Sequence, residues 1–320
     1  MNLPILDFKT QCWPVHSISN PEYRVLACQL GARRHYLDAR CLAKRGLLSC
    51  LATDFWSPAK QSKSRLLRRM PKAVLSALAR YHPELEGQRV VSFPLLAMAR
   101  YALALLDKTG KHEKTMAGRF ARAVVSLNIR HNVFFGYSYE SLEILREERR
   151  RGGFAMLDQT DPGPAHFQMI REEEERWPEY VASRSRCWTQ EETERLREEW
   201  ELADVIIAKS AWTRDSIIPA GAPASKIEIL PLAYVPEDGN APRRERAGKG
   251  RLKVLWLGNV ALGKGIQYMV EAARLLVREP VEFLVGGNSF IASAIMKNSP
   301  KNMLNQFILI FLPPCAHLSK

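Results

Sequence analysis

Short apolar runs alternate along the chain with stretches of helical spacing, and glycines fall between them. RVLACQ (Arg24–Gln29) is an apolar run followed by Gly31. The next stretch, GARRHYLDARCLAKRG, places Tyr36, Leu37, Cys41 and Leu42 near helical spacing and closes on Gly46. LLSCLATD follows at once. Strand, glycine, helix, glycine, strand predicts a βαβ unit with parallel strands. Further on, Val90–Val91 predicts a strand edge, Leu95–Leu106 and Met116–Asn128 predict helices, and VFFGY (Val133–Tyr137) predicts a strand. Ser138–Arg151 reads as a helix with Glu143/Glu147 and Arg146/Arg150 four residues apart. Phe154–Leu157 is a short buried strand running into Asp158, Gln159, Thr160 and Asp161, and Pro162-Gly163-Pro164 opens a loop. His166–Trp200 is charge-rich and mostly helical, Asp204–Ala208 is a strand, Ser210 caps a helix through Ile218, and Ile227–Leu230 is a further strand.

The pattern then breaks. PEDGNAPRRERAGKG (Pro236–Gly250) has no large apolar residue and is dense in proline, glycine and charge, so it reads as a linker. Beyond it LKVLWLG is a buried strand, NVALGKG a glycine loop, IQYMVEAARLLVRE a helix and VEFLVGG a strand. That is a second, independent βαβ start. The expected fold is therefore α/β with two Rossmann-like domains: 1–235, a linker at 236–250, and 251–320. Two such halves suggest a nucleotide-dependent enzyme.

Charge changes this picture more than composition does. The 320 residues are 46% apolar and 25% charged, ordinary for a globular chain. Residues 1–130 hold 22 Lys+Arg against 8 Asp+Glu, whereas residues 131–210 hold 11 against 18. A cationic first third favours anionic partners such as phosphates or acidic lipids. Its densest basic stretch, Lys60–Arg80, reads either as an interfacial helix on anionic headgroups or as a surface helix with a solvated basic face. No nucleic-acid motif accompanies the charge, so no specific nucleic-acid partner is expected. The six cysteines form no CxxC pair and no Cys/His cluster at zinc spacing, which gives no metal site and favours a reduced setting. No apolar run reaches membrane-spanning length, and the first residues lack a signal-peptide pattern. The expectation is a cytoplasmic protein with a peripheral position on the inner membrane face.

The strongest local signal is Gly258-Asn259-Val260-Ala261-Leu262-Gly263-Lys264-Gly265. Glycines let the backbone approach an anion, a helix N-terminus adds partial positive charge, and Lys264 adds a full one. A diphosphate suits such a loop; a tight βα turn with a solvent-exposed lysine is the plainer alternative. The spacing GxxxxGK also approaches a Walker A loop, but the Ser or Thr that would ligate Mg²⁺ is replaced by Gly265. A P-loop NTPase is accordingly the weaker alternative.

Three segments resemble one family. ADVIIAKSAWTRDSIIPAGAPASKIEILPLAY is similar to the end of the first domain, and VLWLGNVALGKGIQYMVEAARLL to the start of the second, in GT-B-fold glycosyltransferases of the family 4 and family 1 group, which are retaining and use nucleotide sugars. ACQLGARRHYLDARCLAKRG resembles their first glycine loop, with Gly31-Ala32 in place of Gly-Gly. The resemblance implies that Lys264 and Gly258 contact the diphosphate of a nucleotide-sugar donor, with no metal or other cofactor. The family usually carries Arg next to that glycine; here it is Asn259, so a second phosphate cation is missing or comes from elsewhere. Asp158 and Gln159 fall where the family often places a His facing the sugar; a loop-capping Asp and a surface Gln are the alternative. Ser210 matches a family serine, though capping alone accounts for it. The family's Glu-x₇-Glu motif, whose carboxylates grip the donor, has no counterpart. The expectation is thus a C-terminally truncated glycosyltransferase with an incomplete second domain, transferring sugar to an unknown acceptor as a family but inactive as this chain. The alternative from another class is a non-catalytic, cationic membrane- or partner-binding protein derived from one.

Overall fold

The computed structural model describes residues 23–57, 80–106, 111–185, 188–233, 252–291 and 307–310. The expected linker at 236–250, and all of the basic Lys60–Arg80 stretch but Arg80 itself, lie outside them.

The elements follow the pattern of the sequence closely. The first part holds β1 (Val25–Gln29), α1 (Leu37–Lys44), β2 (Leu48–Thr53), β3 (Val90–Ser92), α2 (Pro94–Leu106) and α3 (Lys111–Ser126). Next come β4 (Val133–Tyr137), α4 (Leu142–Arg151), β5 (Phe154–Asp158), α5 (Pro164–Arg176) and α6 (Gln190–Leu202). Then follow β6 (Val205–Ala208), α7 (Ala211–Ile217) and β7 (Ile227–Ile229), and finally β8 (Leu252–Leu257), α8 (Ile266–Leu275), β9 (Val281–Gly286) and β10 (Phe307–Ile310).

A seven-stranded sheet runs in the order β3-β2-β1-β4-β5-β6-β7, and a three-stranded sheet in the order β10-β9-β8. β1 pairs in parallel with β2 and β4, β2 with β3, and β4 with β5. Both predicted βαβ units are present, the second with β8 and β9 parallel and FILI (Phe307–Ile310) added as a parallel strand on β9. Every residue of β1 and β4 is buried, as central parallel strands require. The protein is an α/β fold of Rossmann-like topology.

The chain forms two compact units: residues 1–158 with 198–206, and residues 159–197 with 207–320. In the first, Ala27, Tyr36, Ala39, Leu51 and Leu85 form one buried cluster, with Tyr36 edge-on to Trp56 at 5.2 Å. In the second, Tyr180 packs with Ile266, Val270, Ala273, Val281, Phe283 and Val285. Helix α5 is tied to that core by Glu173, whose carboxylate accepts from Gln267 Nε2 at 2.7 Å and from Tyr268 Oη at 2.8 Å.

Three expectations need correcting. The helix expected from Ser138 begins only at Leu142, because the Glu199 carboxylate takes the Tyr139 and Ser141 amides at 2.7 and 3.1 Å. Tyr139, at φ 76°, turns the chain there. The loop expected at Pro162–Pro164 is shorter, since Pro164 starts α5: a proline at the first helical position lacks only an N–H that would have no intrahelical partner. Finally, β8 is not buried on both faces. Val254 and Trp256 pack on the core, but Leu255 and Leu257 are 63% and 70% exposed.

Candidate functional site

Each unit gathers polar groups at the carboxyl ends of its parallel strands, where ligands of open α/β sheets bind. In the first unit the strand order reverses between β1 and β4. The loop leaving β1 there has an unusual backbone. Gly31 has φ 77°, and Arg34, His35 and Tyr36 all lie in the left-handed region at φ 49°, 51° and 59°. For residues bearing a Cβ this conformation costs roughly 1–2 kcal/mol each, so surrounding structure must hold it.

Carboxylates from the neighbouring strand ends do so. Asp54, after β2, accepts the Gly31 amide at 2.9 Å and pairs with Arg80 at 2.7 Å and Arg100 at 3.4 Å. Glu140, after β4, accepts the Leu30 amide at 3.3 Å and faces Arg33 Nε at 3.4 Å. Asp158, at the end of β5 and 1% exposed, receives Arg34 at 2.6 Å. Arg34 also reaches Asp38 at 3.1 Å, and the Tyr137 hydroxyl donates to Asp38 at 2.6 Å. The Arg33 and Arg34 guanidinium groups sit 5.1 and 5.5 Å from the centroid of the Tyr137 ring, within cation–π range. Burial pushes the Glu140 carboxyl up to about 7, although Arg33 and the Leu30 amide pull the other way. Burial and the adjacent Asp38 likewise raise the Tyr137 phenol well above its ordinary value.

The second unit holds the glycine loop. Gly258 follows β8 with φ 139°, and its amide donates to Gly286 O at 2.9 Å. Gly287, at φ 151°, lies so close that a Cβ there would meet Gly258 O. Leu262–Lys264 forms one 3₁₀ turn, and Gly265, left-handed at φ 82°, hands the chain to α8. Lys264 thus sits just ahead of a helix N-terminus. It is exposed and has no ion-pair partner among the described residues.

This loop lines a cavity of about 320 Å³. Its wall combines Asn259, Gly263 and Lys264 with His166 from α5 and the turn Ser183-Arg184-Ser185. Gly263 packs closely on α5: a Cβ there would stand 3.0 Å from Ile170 Cγ1, so that side chain would have to give by a few tenths of an ångström. Glu174 also lines the cavity, where its carboxylate accepts the Ser185 amide at 2.8 Å and so fixes the turn that carries Arg184. Arg184, like Lys264, is exposed without an ion-pair partner among the described residues. Two full positive charges, an imidazole, two serines and an asparagine therefore line one concavity, together with the Glu174 carboxylate that is engaged by the Ser185 amide.

Sequence-expected residues divide between these clusters. Asn259 and Lys264 line the cavity, whereas Gly258, one residue before Asn259, is held by its amide to Gly286 O and is not part of the wall. Gly31 and Ala32 lie in the first-unit loop, where Ala32 O accepts the His35 amide at 3.0 Å. Asp158 is engaged with Arg34. Gln159 is fully buried, with its Nε2 donating to Asp161 O at 3.0 Å. Ser210 caps α7, its hydroxyl accepting the Thr213 amide at 3.1 Å. Sequence reasoning missed Arg34, Asp38, Tyr137 and Glu140 in the first unit and His166 and Arg184 in the second. Arg33-Arg34, directly after the first glycine loop, was the one available signal. Arg184 lies in the turn between α5 and α6, inside a stretch whose sequence reads as mostly helical, and no motif surrounds it.

Comparison with known protein families finds no matching family, and no curated protein matches the chain. Among solved structures the chain is similar to Anabaena HepE in complex with UDP, with TM-score 0.48 and 11% identity over 90% of this chain and 68% of that one. It is also similar to the lipopolysaccharide outer core galactosyltransferase WaaB in its apo form, with TM-score 0.46 and 10% identity over 89% and 67%. A third is UDP-N-acetylglucosamine 2-epimerase from Rickettsia bellii, with TM-score 0.42 and 9% identity over 90% and 68%.

Proposed function

We propose that the protein binds a nucleotide sugar through its diphosphate and acts as a glycosyltransferase. The observation that carries this reading is the pair of exposed cations, Lys264 and Arg184, which have no ion-pair partner among the described residues and lie on one cavity with the glycine loop that precedes α8. A departing nucleoside diphosphate gains negative charge as the sugar–phosphate bond breaks, and fixed cations at that point stabilise the transition state more than the ground state. Lys264 supplies a point charge beside the helix N-terminus. Arg184 supplies a planar fork suited to phosphate oxygens, and it takes the place of the second cation that Asn259 does not provide. The Ser183 and Ser185 hydroxyls and the Asn259 amide complete the donor set for the remaining oxygens. With two protein cations on the diphosphate, the reaction needs no metal.

UDP and UDP-glucose, the ligands bound to HepE in its crystal structures, are suitable probes. Titration calorimetry should show saturable binding of both to the full chain. Lys264→Ala and Arg184→Ala should each weaken UDP roughly 10- to 100-fold, the effect of one charge-assisted phosphate contact at about 1.5–3 kcal/mol. Unchanged affinity in both variants would refute the site. Transfer of labelled glucose to any acceptor, unaffected by chelator, would establish the enzyme. Mg²⁺-dependent hydrolysis of a nucleoside triphosphate would favour the P-loop alternative instead.

A further inference from the structure

The segment after β9 places an aromatic ring on the wall of the cavity that holds Lys264 and Arg184. Ser289 pairs in parallel with Val260 of the glycine loop, and Ile291 pairs antiparallel with Val181, three residues before Arg184. Two hydrogen bonds hold the first of these contacts. The Val260 amide donates to Asn288 O at 2.8 Å, and the Phe290 amide donates to Val260 O at 2.9 Å. The loop that carries Lys264 and the turn that carries Arg184 are thus fastened to one short segment, with Phe290 in its middle. In extended backbone successive side chains point to opposite sides. Ile291 is 6% exposed and packs in the core with Tyr180 and Val260. Phe290, on the opposite side, is 61% exposed and lines the cavity with Asn259, Lys264 and Arg184.

A single exposed phenylalanine needs no explanation by itself. This one has its backbone fixed on both sides, and its ring stands on a wall that is otherwise rich in polar and cationic groups. Tyr180, the other phenyl-bearing residue of the lining, is fully buried, so its ring offers the cavity no free face. A ligand that suits this wall has an anionic end for Lys264 and Arg184 and a flat apolar part for Phe290. Inorganic pyrophosphate meets only the first requirement, and a sugar phosphate has no π-face for the second. A nucleoside diphosphate meets both, because every base has a π-face that stacks on an aromatic side chain. The cavity, at about 320 Å³, falls at the small end of the range for small-molecule sites, roughly 300–1,000 Å³.

We infer that Phe290 is the stacking platform for the nucleobase of the donor, an inference that rests on the diphosphate site proposed above. Titration calorimetry of the full chain with inorganic pyrophosphate, UDP and UDP-glucose tests the two separately. Phe290→Ala should weaken UDP and UDP-glucose each by about 5- to 100-fold, the effect of losing one base–aromatic stack. It should leave pyrophosphate within about twofold of wild type, since pyrophosphate has no base to stack. Phe290→Tyr, which keeps the ring, should hold UDP within about threefold. Pyrophosphate that does not bind, or that binds Lys264→Ala and Arg184→Ala as well as wild type, would remove the diphosphate site and the platform with it. Pyrophosphate held by those cations, together with UDP binding that Phe290→Ala leaves intact, would remove the platform alone. Equal loss of pyrophosphate and UDP in Phe290→Ala would also overturn it, because the change would then have displaced the glycine loop. So would a loss confined to UDP-glucose, which would set the ring against the sugar.

Discussion

Arg34 is the residue on which the first unit's polar cluster turns. It occupies a left-handed conformation that side chains rarely adopt, and it bridges Asp158, Asp38 and the Tyr137 hydroxyl. Removing it leaves a buried carboxylate at Asp158 without that charge partner, a change that costs about 3–5 kcal/mol where no other group moves in. Because Arg34 is partly solvent-exposed, Arg34→Ala should sit near the lower end, about 3 kcal/mol by urea unfolding. Arg34→Lys should recover only part of it, since a lysine cannot reach two carboxylates and a hydroxyl with one planar group. Glu140 makes a separate prediction about pH. Its folded value, about 7, lies above the ordinary 4.5. The folded state thus holds the proton more tightly than the unfolded one. The stabilisation is complete below about pH 4.5 and is lost as pH rises through 7. His131, raised by the Glu148 hydrogen bond and the Ile129 carbonyl against the opposing effect of burial, acts in the same direction above 6.5. Unfolding free energy should therefore fall between pH 5 and 8, and Glu140→Gln should flatten the slope.

At the scale of elements, the turn after β9 limits the second sheet most tightly. Gly287 has φ 151°, and a Cβ would collide with the Gly258 carbonyl oxygen at the end of β8. Gly287→Ala should push the two strand ends apart and displace the glycine loop that leads to Lys264. We expect a loss of at least about 2 kcal/mol, from the strained backbone and the clash together, and weaker UDP binding as well. Gly46→Ala offers a control. Its φ is also positive, at 66°, but nothing lies within 4 Å of the added methyl. It should cost about 1 kcal/mol and leave UDP affinity unchanged. Helix α4 illustrates how an element's start can be set from a distance. Its first turn is fixed by a carboxylate on α6, Glu199, fifty-eight residues along the chain from Ser141.

For the whole molecule, charge is the governing quantity. A formal net charge of +13 gives a long-range field that attracts any phosphate-bearing ligand. Raising ionic strength from about 0.05 to 0.5 M shrinks the screening length severalfold. UDP affinity of the wild type should fall with it, and the fall should be shallower in Lys264→Ala, which has one less charge to screen. A slope that is the same in both proteins would mean that the attraction comes from the general field and not from the cavity.

Much of this was written in the sequence. The strand–glycine–helix–strand order at Arg24–Asp54 and again at Leu252–Gly287 determined two parallel βαβ units, because apolar runs of strand length and helical spacing cannot exchange roles. The Gly258–Gly265 loop was legible as a glycine turn between a strand and a helix, since glycine takes the positive φ that Gly258 and Gly265 adopt there. Local pattern also determined the caps: Ser210 on α7 needs only the amide three residues on. What the tertiary structure decided are the contacts between residues far apart in the chain. No spacing connects Arg184 to Lys264, eighty residues later; the packing of α5 on the β8–α8 turn, through Glu173 and Gly263, brings them to one cavity. No period foretells that Arg34, His35 and Tyr36 are left-handed, because buried carboxylates on three other strand ends impose it. And the helical spacing of Leu95 and Met98 reads the same whether these side chains face a core or water. Only the inward pairing of Arg100 with Asp54 turns them outward.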